Sequence, residues 1–217
     1  MVGIFDSGMG GLLALAELRR IMPDADVAFF ADRRNAPYGT KSREQIVSLA
    51  KRDIDILRAF GAEDILVACC TASTVYEDLP DGYRRGVIPI IDATAYAAVA
   101  ASESKRIGVL ATEATVRSGA FSSAIGRFCK RAEVRCLARQ DLVGAVERGA
   151  DADASLEDAL RLFGDVDTVI LGCTHFAAFE DKIKKKGFTA VNSARIGAEM
   201  LSERASSGKA LTLYINE

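Results

Sequence analysis

The chain has no tryptophan, four prolines and a single histidine, His175, so a mechanism that needs several imidazoles is excluded. It also lacks a long hydrophobic segment. The longest weakly polar run, Ala93 to Ala101, falls far short of the ~20 residues that a membrane-spanning helix needs. Asp6 stands where a signal peptide would be apolar. We therefore expect no membrane partner and a cytoplasmic location.

Neither sign of charge dominates the sequence. Lys and Arg together number 28 against 30 for Asp and Glu, which gives a net charge of −2. This balance provides no basic field for nucleic acid, and we expect no nucleic-acid partner. Hydrophobic residues make up 49% of the chain, enough to build sizeable cores in a globular α/β protein.

The five cysteines are an odd number without the regular spacing of a disulfide framework, which favours a reducing compartment. Cys129 and Cys136 lie in ordinary helix and strand patterns, where a free cysteine acts as a small hydrophobic side chain. The other three, Cys69, Cys70 and Cys173, stand at or directly after the ends of predicted strands.

Short β-branched apolar runs alternate with segments of helical period along most of the chain. This alternation predicts parallel sheets covered by helices on both faces. The predicted helices are Leu12–Ile21, Ser42–Phe60, Thr115–Arg131, Ser155–Phe163 and Ala194–Ser206. The predicted strands are Val2–Phe5, Val27–Ala31, Ile65–Ala68, Val87–Ile91, Ile107–Ala111, Val134–Leu137, Thr168–Leu171 and Thr189–Val191.

One phrase occurs twice, an apolar run that ends at a cysteine: Ile65–Thr71 and Val169–His175. Two further strands recur in the same order at nearly the same offset, about 105 residues. The repeat predicts two similar three-layer α/β domains related by pseudo-symmetry, with the active site in the cleft between them. We place the first domain at 1–92, completed by 193–217, and the second at 93–192.

Both repeated phrases put a cysteine, Cys69 or Cys173, at the carboxyl end of a strand, where open α/β folds bind ligands. Four interpretations follow: a metal site of Cys69, Cys70, Cys173 and His175, a covalent nucleophile with His175 as base, inert buried thiols, or two-base proton transfer. Only the last uses the duplication. One thiolate removes a proton from a substrate Cα while the opposing thiol supplies one on the other face, which inverts the stereocentre.

Two further patches follow predicted strands. The loop Asp6–Gly11 opens a helix, where glycines let the backbone approach an anion, but it lacks the GxGxxG pattern of dinucleotide sites. Asp6 could equally be a helix cap. Hydroxyl groups lie in the Pro37–Ser42 turn and again at Thr112, Thr115 and Ser118, where they suit either capping and turn formation or carboxylate binding.

Several blocks in the chain closely resemble the glutamate racemases of the cofactor-independent aspartate/glutamate racemase superfamily. They are Ile4–Gly11, Ala36–Gly39 with Lys41–Glu44, Val67–Cys69, Leu171–His175 and Asn192–Ala194. The resemblance implies a site for D- and L-glutamate between two α/β domains, without cofactor or metal. It makes Cys69 and Cys173 the catalytic acid/base pair, assisted by Asp6 and His175.

The resemblance further implies a substrate-binding set and a biological role. The set is Ser7, Pro37, Tyr38, Gly39, Cys70, Thr71, Thr112, Thr115 and Thr174. Glu147 matches a family acidic residue near the cleft. The role would be to supply D-glutamate for peptidoglycan, and a homodimer would be in keeping with the family.

The chain departs from the family pattern in three places. Cys70 replaces a family Asn that contacts substrate, and a thiol is a much weaker hydrogen-bonding group than an amide. Phe176-Ala177 replaces Tyr-Pro, and the stretch from Gly149 to Asp165 is compressed. Two alternatives therefore stay open: a racemase of aspartate or another acidic amino acid, and a binding protein for an acidic amino acid without catalysis.

Overall fold

Two parallel sheets form the framework of the computed structural model, which describes residues 1–215. Apolar runs form their inner strands, and every residue of Val2–Asp6 and Thr168–Gly172 is buried. The strands are β1 (Val2–Asp6), β2 (Val27–Ala31), β3 (Asp64–Val67), β4 (Val87–Pro89), β5 (Arg106–Ala111), β6 (Glu133–Ala138), β7 (Thr168–Gly172), β8 (Thr189–Asn192) and β9 (Thr212–Ile215).

Helices connect the strands and cover the sheets, and none of the described helices is long and apolar enough to cross a membrane. They are α1 (Gly11–Ile21), α2 (Arg43–Ala59), α3 (Cys70–Ser73), α4 (Asp81–Arg84), α5 (Ile91–Ala101), α6 (Glu113–Ser118), α7 (Ala120–Phe128), α8 (Gln140–Arg148), α9 (Asp153–Phe163), α10 (Glu180–Lys185) and α11 (Ser193–Ser202). Short 3-10 turns lie at Arg33–Asn35, Tyr38–Thr40, Tyr76–Asp78 and Thr174–Phe179.

The strand orders of the two sheets match. The first sheet runs β4-β3-β1-β2-β9, and the second, taken from its β8 edge, runs β8-β7-β5-β6. All strand pairs within both sheets are parallel. The predicted fold class, two similar α/β units with parallel sheets, is confirmed. Because β1 corresponds to β5 and β3 to β7, Cys69 and Cys173 occupy equivalent strand ends.

Two predictions about helices need correction. The predicted helix from 115 to 131 is two helices, α6 and α7, because Gly119 between them adopts a left-handed conformation with φ +66°. The sequence pattern also gave no helix at α5 or at α8. Helix α8 supplies one wall of the site described below.

The segment after residue 193 contacts both sheets. Helix α11 packs against α1 and α5, and β9 pairs in parallel with β2 at the edge of the first sheet. Residues 216 and 217 of the predicted completing segment lie outside the described residues. The domain boundaries themselves stay a prediction.

Candidate active site at the facing strand ends

A narrow cavity of about 10 Å³ lies where β1, β3, β5 and β7 end, with room for about one water molecule. A wider opening of about 510 Å³ adjoins it and shares Ala36, Pro37, Glu147 and His175 with it. The narrow cavity is lined by Ser7, Ala36, Pro37, Tyr38, Gly39, Cys69, Cys70, Thr71, Thr112, Gln140, Val143, Glu147, Cys173, Thr174 and His175.

This lining brings nearly all of the sequence-predicted site residues together. The two exceptions, Asp6 and Thr115, lie directly behind it. Thr174 Oγ1 donates to Asp6 Oδ2 at 3.0 Å, and Thr115 Oγ1 lies 3.1 Å from Thr71 Oγ1. The candidate residues thus form one continuous site built from both sheets.

Cys69 caps the short helix α3 at the end of β3. Its thiol donates to Ser7 Oγ at 3.3 Å and accepts the Ala72 N–H at 3.5 Å. Burial raises the pKa of Cys69 to about 11, and the nearby Asp6 charge raises it further while these hydrogen bonds oppose the shift. The Cys69 thiol is therefore protonated near neutral pH in the closed cavity.

Cys173 begins a chain of three titratable groups. Its Sγ lies 3.5 Å from His175 Nδ1, and His175 Nε2 lies 3.2 Å from Glu147 Oε1. The second distance allows an ion pair with a protonated ring, but the two groups are not aligned as a hydrogen bond. Burial raises the pKa of Cys173 well above its ordinary value. A proton leaving this thiol therefore has an imidazole to accept it and a carboxylate beyond to stabilise the imidazolium.

Asp6 ties the first loop to the other sheet. Its carboxylate is fully buried, accepts the Gly8 N–H at 2.9 Å, and receives the Thr174 hydroxyl described above. Burial raises the pKa of Asp6, while the nearby His175 opposes that shift. Position 10 of this loop requires glycine, because a Cβ on Gly10 would come within 2.9 Å of Thr174 Cβ.

Three threonines form a second link between the sheets. Thr71 Oγ1 lies 2.9 Å from Thr112 Oγ1, and the Thr112 and Thr115 hydroxyls are also 2.9 Å apart. Thr71 follows β3 and the other two follow β5, so the cluster joins equivalent strand ends. With no charged partner in this cluster, the hydroxyls can rotate to donate to an anion.

A buried acidic network that sequence reasoning missed lies behind the Pro37–Gly39 turn. The Tyr38 hydroxyl lies 2.6 Å from Asp32 Oδ2 and 2.7 Å from Asp53 Oδ2. Arg52 lies 2.7 Å from Asp32 Oδ2 and 3.0 Å from Asp53 Oδ1. A usable signal existed, because Asp53 is an acid on the apolar stripe of α2 beside Ile54 and Leu57.

Cys70 lines the cavity, but its thiol is engaged elsewhere. It donates to Ser193 Oγ at 3.4 Å, and the Ser193 hydroxyl donates to the Leu171 carbonyl at 2.8 Å. Burial raises the pKa of Cys70 to about 12. Cys70 therefore joins α3 to the end of the second sheet.

The five cysteines are free. Within residues 1–215, no group of three or more His, Cys, Asp or Glu side chains is placed to hold a metal ion. Of the described lining residues of the narrow cavity, none is a lysine or arginine.

Comparisons with known proteins identify the family of the chain. The family model described as Asp/Glu/Hydantoin racemase matches residues 13–201. A glutamate racemase of Desulforudis audaxviator is 38% identical over 191 residues, which cover 85% of this chain and 70% of that protein. A glutamate racemase of Aquifex aeolicus is 36% identical over 210 residues, which cover 93% and 82%.

Solved structures of two racemases share the fold. The glutamate racemase of Francisella tularensis in complex with D-glutamate matches with a TM-score of 0.86 and 27% identity, over 98% of this chain and 86% of that chain. The aspartate racemase of Picrophilus torridus matches with a TM-score of 0.67 at 19% identity, over 96% of each chain, a likeness of fold alone. The predicted resemblance is confirmed, as is the enzyme class, an isomerase of the racemase type. The chain belongs to the Asp/Glu/hydantoin racemase family.

Proposed function

We propose that the protein interconverts L- and D-glutamate without a cofactor, by proton transfer between two thiols. The observation that carries this proposal is the placement of Cys69 and Cys173 at equivalent strand ends, in the wall of one cavity. Glutamate is favoured because the relatives at 38% and 36% identity are glutamate racemases. A racemase needs one acid/base group on each side of the substrate Cα, and a duplicated fold supplies such a pair.

Either thiol must lose its proton before it can act as a base, since burial raises the pKa of both. On the second side, His175 Nδ1 takes the proton from Cys173 and Glu147 stabilises the imidazolium. On the first side, Asp6 is the assisting carboxylate. Its raised pKa makes it a stronger base than an exposed aspartate.

The reaction needs no reactant besides the amino acid and the two cysteine side chains, because one proton is taken from Cα and one is returned to it. The Cys173 thiolate takes the Cα proton, and the Cys69 thiol gives its own proton to the opposite face of Cα. The product is the enantiomer, with the thiol and thiolate exchanged, and the reverse reaction uses the same groups in the opposite roles. An amino acid Cα–H is a weaker acid than a thiol by roughly ten pKa units, or more than ~13 kcal/mol. Hydrogen-bond donors in a water-excluding cleft must therefore stabilise the carbanion-like transition state.

The cavity must open to admit an amino acid, because about 10 Å³ holds no more than about one water. The adjoining opening gives the direction of entry. Glu147 and His175 line both spaces, and the Glu147 side chain is 40% exposed. Closure behind the substrate would exclude water from the reacting Cα.

The direct test is to incubate the purified protein with L-glutamate in deuterium oxide, then follow circular dichroism and Cα deuteration. We expect both signals to change for the native chain. Cys69→Ser and Cys173→Ser should each lose nearly all interconversion, because a missing thiol breaks the transfer in both directions. Cys136→Ser, at a partly buried position beside Ser122, is the matched control and should keep full activity.

A folded native protein that neither exchanges the Cα proton nor changes optical activity would exclude glutamate as substrate. Aspartate and other acidic amino acids in the same assay test the alternative substrates. A non-catalytic binding protein would instead show a ligand-induced rise in melting temperature, unchanged in both cysteine variants, with no exchange.

We further propose that the enzyme supplies D-glutamate for peptidoglycan in the cytoplasm, acts as a homodimer, and divides into domains at 1–92 with 193–217 and at 93–192. The family membership supports the role in D-glutamate supply. The free cysteines support a location in the reducing cytoplasm. Complementation of a D-glutamate auxotroph by the cloned gene tests the biological role. Analytical sedimentation tests whether the protein is a homodimer.

A further inference from the structure

The side-chain carbonyl of Gln140 is buried without a hydrogen-bond partner. A buried polar atom that loses water and gains no partner is costly, so such an atom needs an explanation. Gln140 begins α8, and Val143 and Glu147 follow at helical spacing. All three line the narrow cavity, so one face of α8 forms its wall and Gln140 belongs to that face.

Gln140 stands where the two halves of the site meet. A Cβ built on Gly39 would lie 2.6 Å from Gln140 Oε1 and 2.8 Å from Thr112 Cβ. The amide therefore sits against the turn that follows β2 and the threonine that follows β5. Both neighbours line the same cavity.

The charges around the cavity indicate what the amide binds. An acidic amino acid brings two carboxylates and one ammonium group. Glu147 provides an acceptor for the ammonium. No lysine or arginine occurs among the described lining residues of the narrow cavity, whereas Arg33 lines the adjoining opening. A carboxylate held in the narrow cavity must therefore be bound by neutral donors, and the Cys70 thiol is already directed to Ser193.

A glutamine amide can supply such a donor without any change in backbone. Rotation about its last, soft side-chain torsion exchanges the oxygen and nitrogen, which puts two N–H groups where Oε1 lies. We propose that Gln140 is a substrate-contacting residue whose amide donates a hydrogen bond to a carboxylate of the acidic amino acid. This inference rests on the proposed function, because it assumes the same ligand in the same cavity.

The test compares Gln140→Ala and Gln140→Glu with the native enzyme. A hydrogen bond made equally to substrate and transition state changes KM and leaves kcat nearly unaltered. For Gln140→Ala we expect KM for L-glutamate to rise about 10- to 100-fold, as expected for a lost bond to a charged group. Gln140→Glu keeps the shape but replaces donors with a negative charge, so its KM should rise further.

Arg148→Ala is the control, since Arg148 is an exposed residue of the same helix outside the cavity lining. It should leave KM unchanged, and melting curves establish that all variants fold. An unchanged KM in folded Gln140→Ala would overturn the inference. So would a KM in Gln140→Glu at or below the native value, because the amide would then accept from the ammonium.

Calorimetric titration with L-glutamate separates this inference from the proposed function. If the native chain binds glutamate without Cα exchange and Gln140→Ala weakens that binding, racemisation fails while the Gln140 contact stands. If the native chain racemises glutamate and both variants bind it normally, the contact fails while the function stands.

Discussion

At the scale of single residues, the Tyr38 hydroxyl has fewer protons than its contacts with two carboxylates require. It has one proton, yet it lies within hydrogen-bond distance of carboxylate oxygens on both Asp32 and Asp53. Both contacts are hydrogen bonds only if one carboxyl is protonated and donates. Burial, together with the Asp32 charge, raises the pKa of Asp53 to about 7 against the opposing effect of Tyr38 and Arg52. Burial also acts on Asp32, but its hydrogen bonds and Arg52 outweigh it and lower the pKa of Asp32.

Asp53 should make stability fall as pH rises. Its pKa is about 7 in the folded chain and near 3.9 in an unfolded one, so between these values the folded state binds more protons. The free energy of unfolding therefore decreases as pH rises from about 4 to above 7. Asp53→Asn stays neutral and should be more stable than the native chain at pH 8, by about 1–3 kcal/mol. Urea unfolding at pH 5 and pH 8 measures the difference.

The matched control is Asp55→Asn, an exposed residue of the same helix that accepts a hydrogen bond from Tyr83. It should retain the native pH dependence. If the native chain and Asp53→Asn lost equal stability between pH 5 and pH 8, the titrating group would lie elsewhere.

Site residues could be predicted from the sequence where they lie in a repeated motif. They could not be predicted where their importance depends on how the side chains pack in the folded chain. Cys69 and Cys173 could be identified because their phrases recur at strand ends. Gln140 could not be, because a polar residue at a helix start is ordinary and its lack of a partner exists only in the folded chain. Asp53 showed a weaker signal, an acid on a buried helix face.

At the scale of secondary-structure elements, α2 has a complete capping box. Ser42 Oγ accepts the Gln45 N–H at 3.3 Å, and Gln45 Oε1 accepts the Ser42 N–H at 2.9 Å. These bonds satisfy backbone donors at the first turn of a 17-residue helix. The same helix carries Asp53 and follows directly after the turn that lines the cavity, so its start also fixes where that turn ends.

Ser42→Ala should lower the free energy of unfolding by about 1 kcal/mol, because the cap hydrogen bond is lost. Ser48→Ala is the control, since Ser48 is exposed within the same helix and alanine favours helix there. Ser48→Ala should have a free energy of unfolding equal to, or slightly higher than, that of the native chain. Chemical denaturation of both variants measures the two effects, and equal stability in both would mean that the cap is not what holds the start of α2.

Most longer helices with an amphipathic period were predicted, whereas α5 and α8 were not. Helix α5 is rich in alanine and apolar on nearly all sides. Its Ala95 and Ala98 pack in the core cluster that contains both Leu66 and Ile170. Such a helix has no contrasting polar face to reveal its period. Helix α8 does carry an apolar face, with Leu142, Val143 and Ala145 buried, so its pattern was present in the sequence and was missed.

At the scale of the whole molecule, the duplication predicted the matching topology but not how the halves meet. That contact depends on pairs distant in sequence: Asp6 with Thr174, Thr71 with Thr112, and Cys70 with Ser193. Each pair is ordinary in composition, so no local pattern indicates it. Together they join residues of the first half of the chain to residues of the second.

The closing segment of the chain completes the first sheet, and Asp26 holds it there. Asp26 Oδ1 accepts the Lys209 N–H at 2.9 Å and the Leu211 N–H at 3.0 Å, just before β9 pairs with β2. These backbone hydrogen bonds lower the pKa of Asp26. A lowered pKa means that the stabilisation is present above the unfolded-state value near 4 and is lost as pH falls through the folded-state value.

Asp26→Ala should therefore lower the melting temperature by about 2–4 °C at pH 7, and the gap from the native chain should narrow below pH 4. Asp24→Ala is the matched control. The backbone carbonyl of Asp24 accepts hydrogen bonds from the Gly208 and Ala210 N–H groups, and the substitution keeps this carbonyl. The melting temperature of Asp24→Ala should therefore equal that of the native chain. Calorimetric scans across this pH range measure both variants. A gap for Asp26→Ala that did not narrow in acid would mean that the ionised carboxylate is not what stabilises this segment, because protonating Asp26 would then leave the stability of the native chain unchanged.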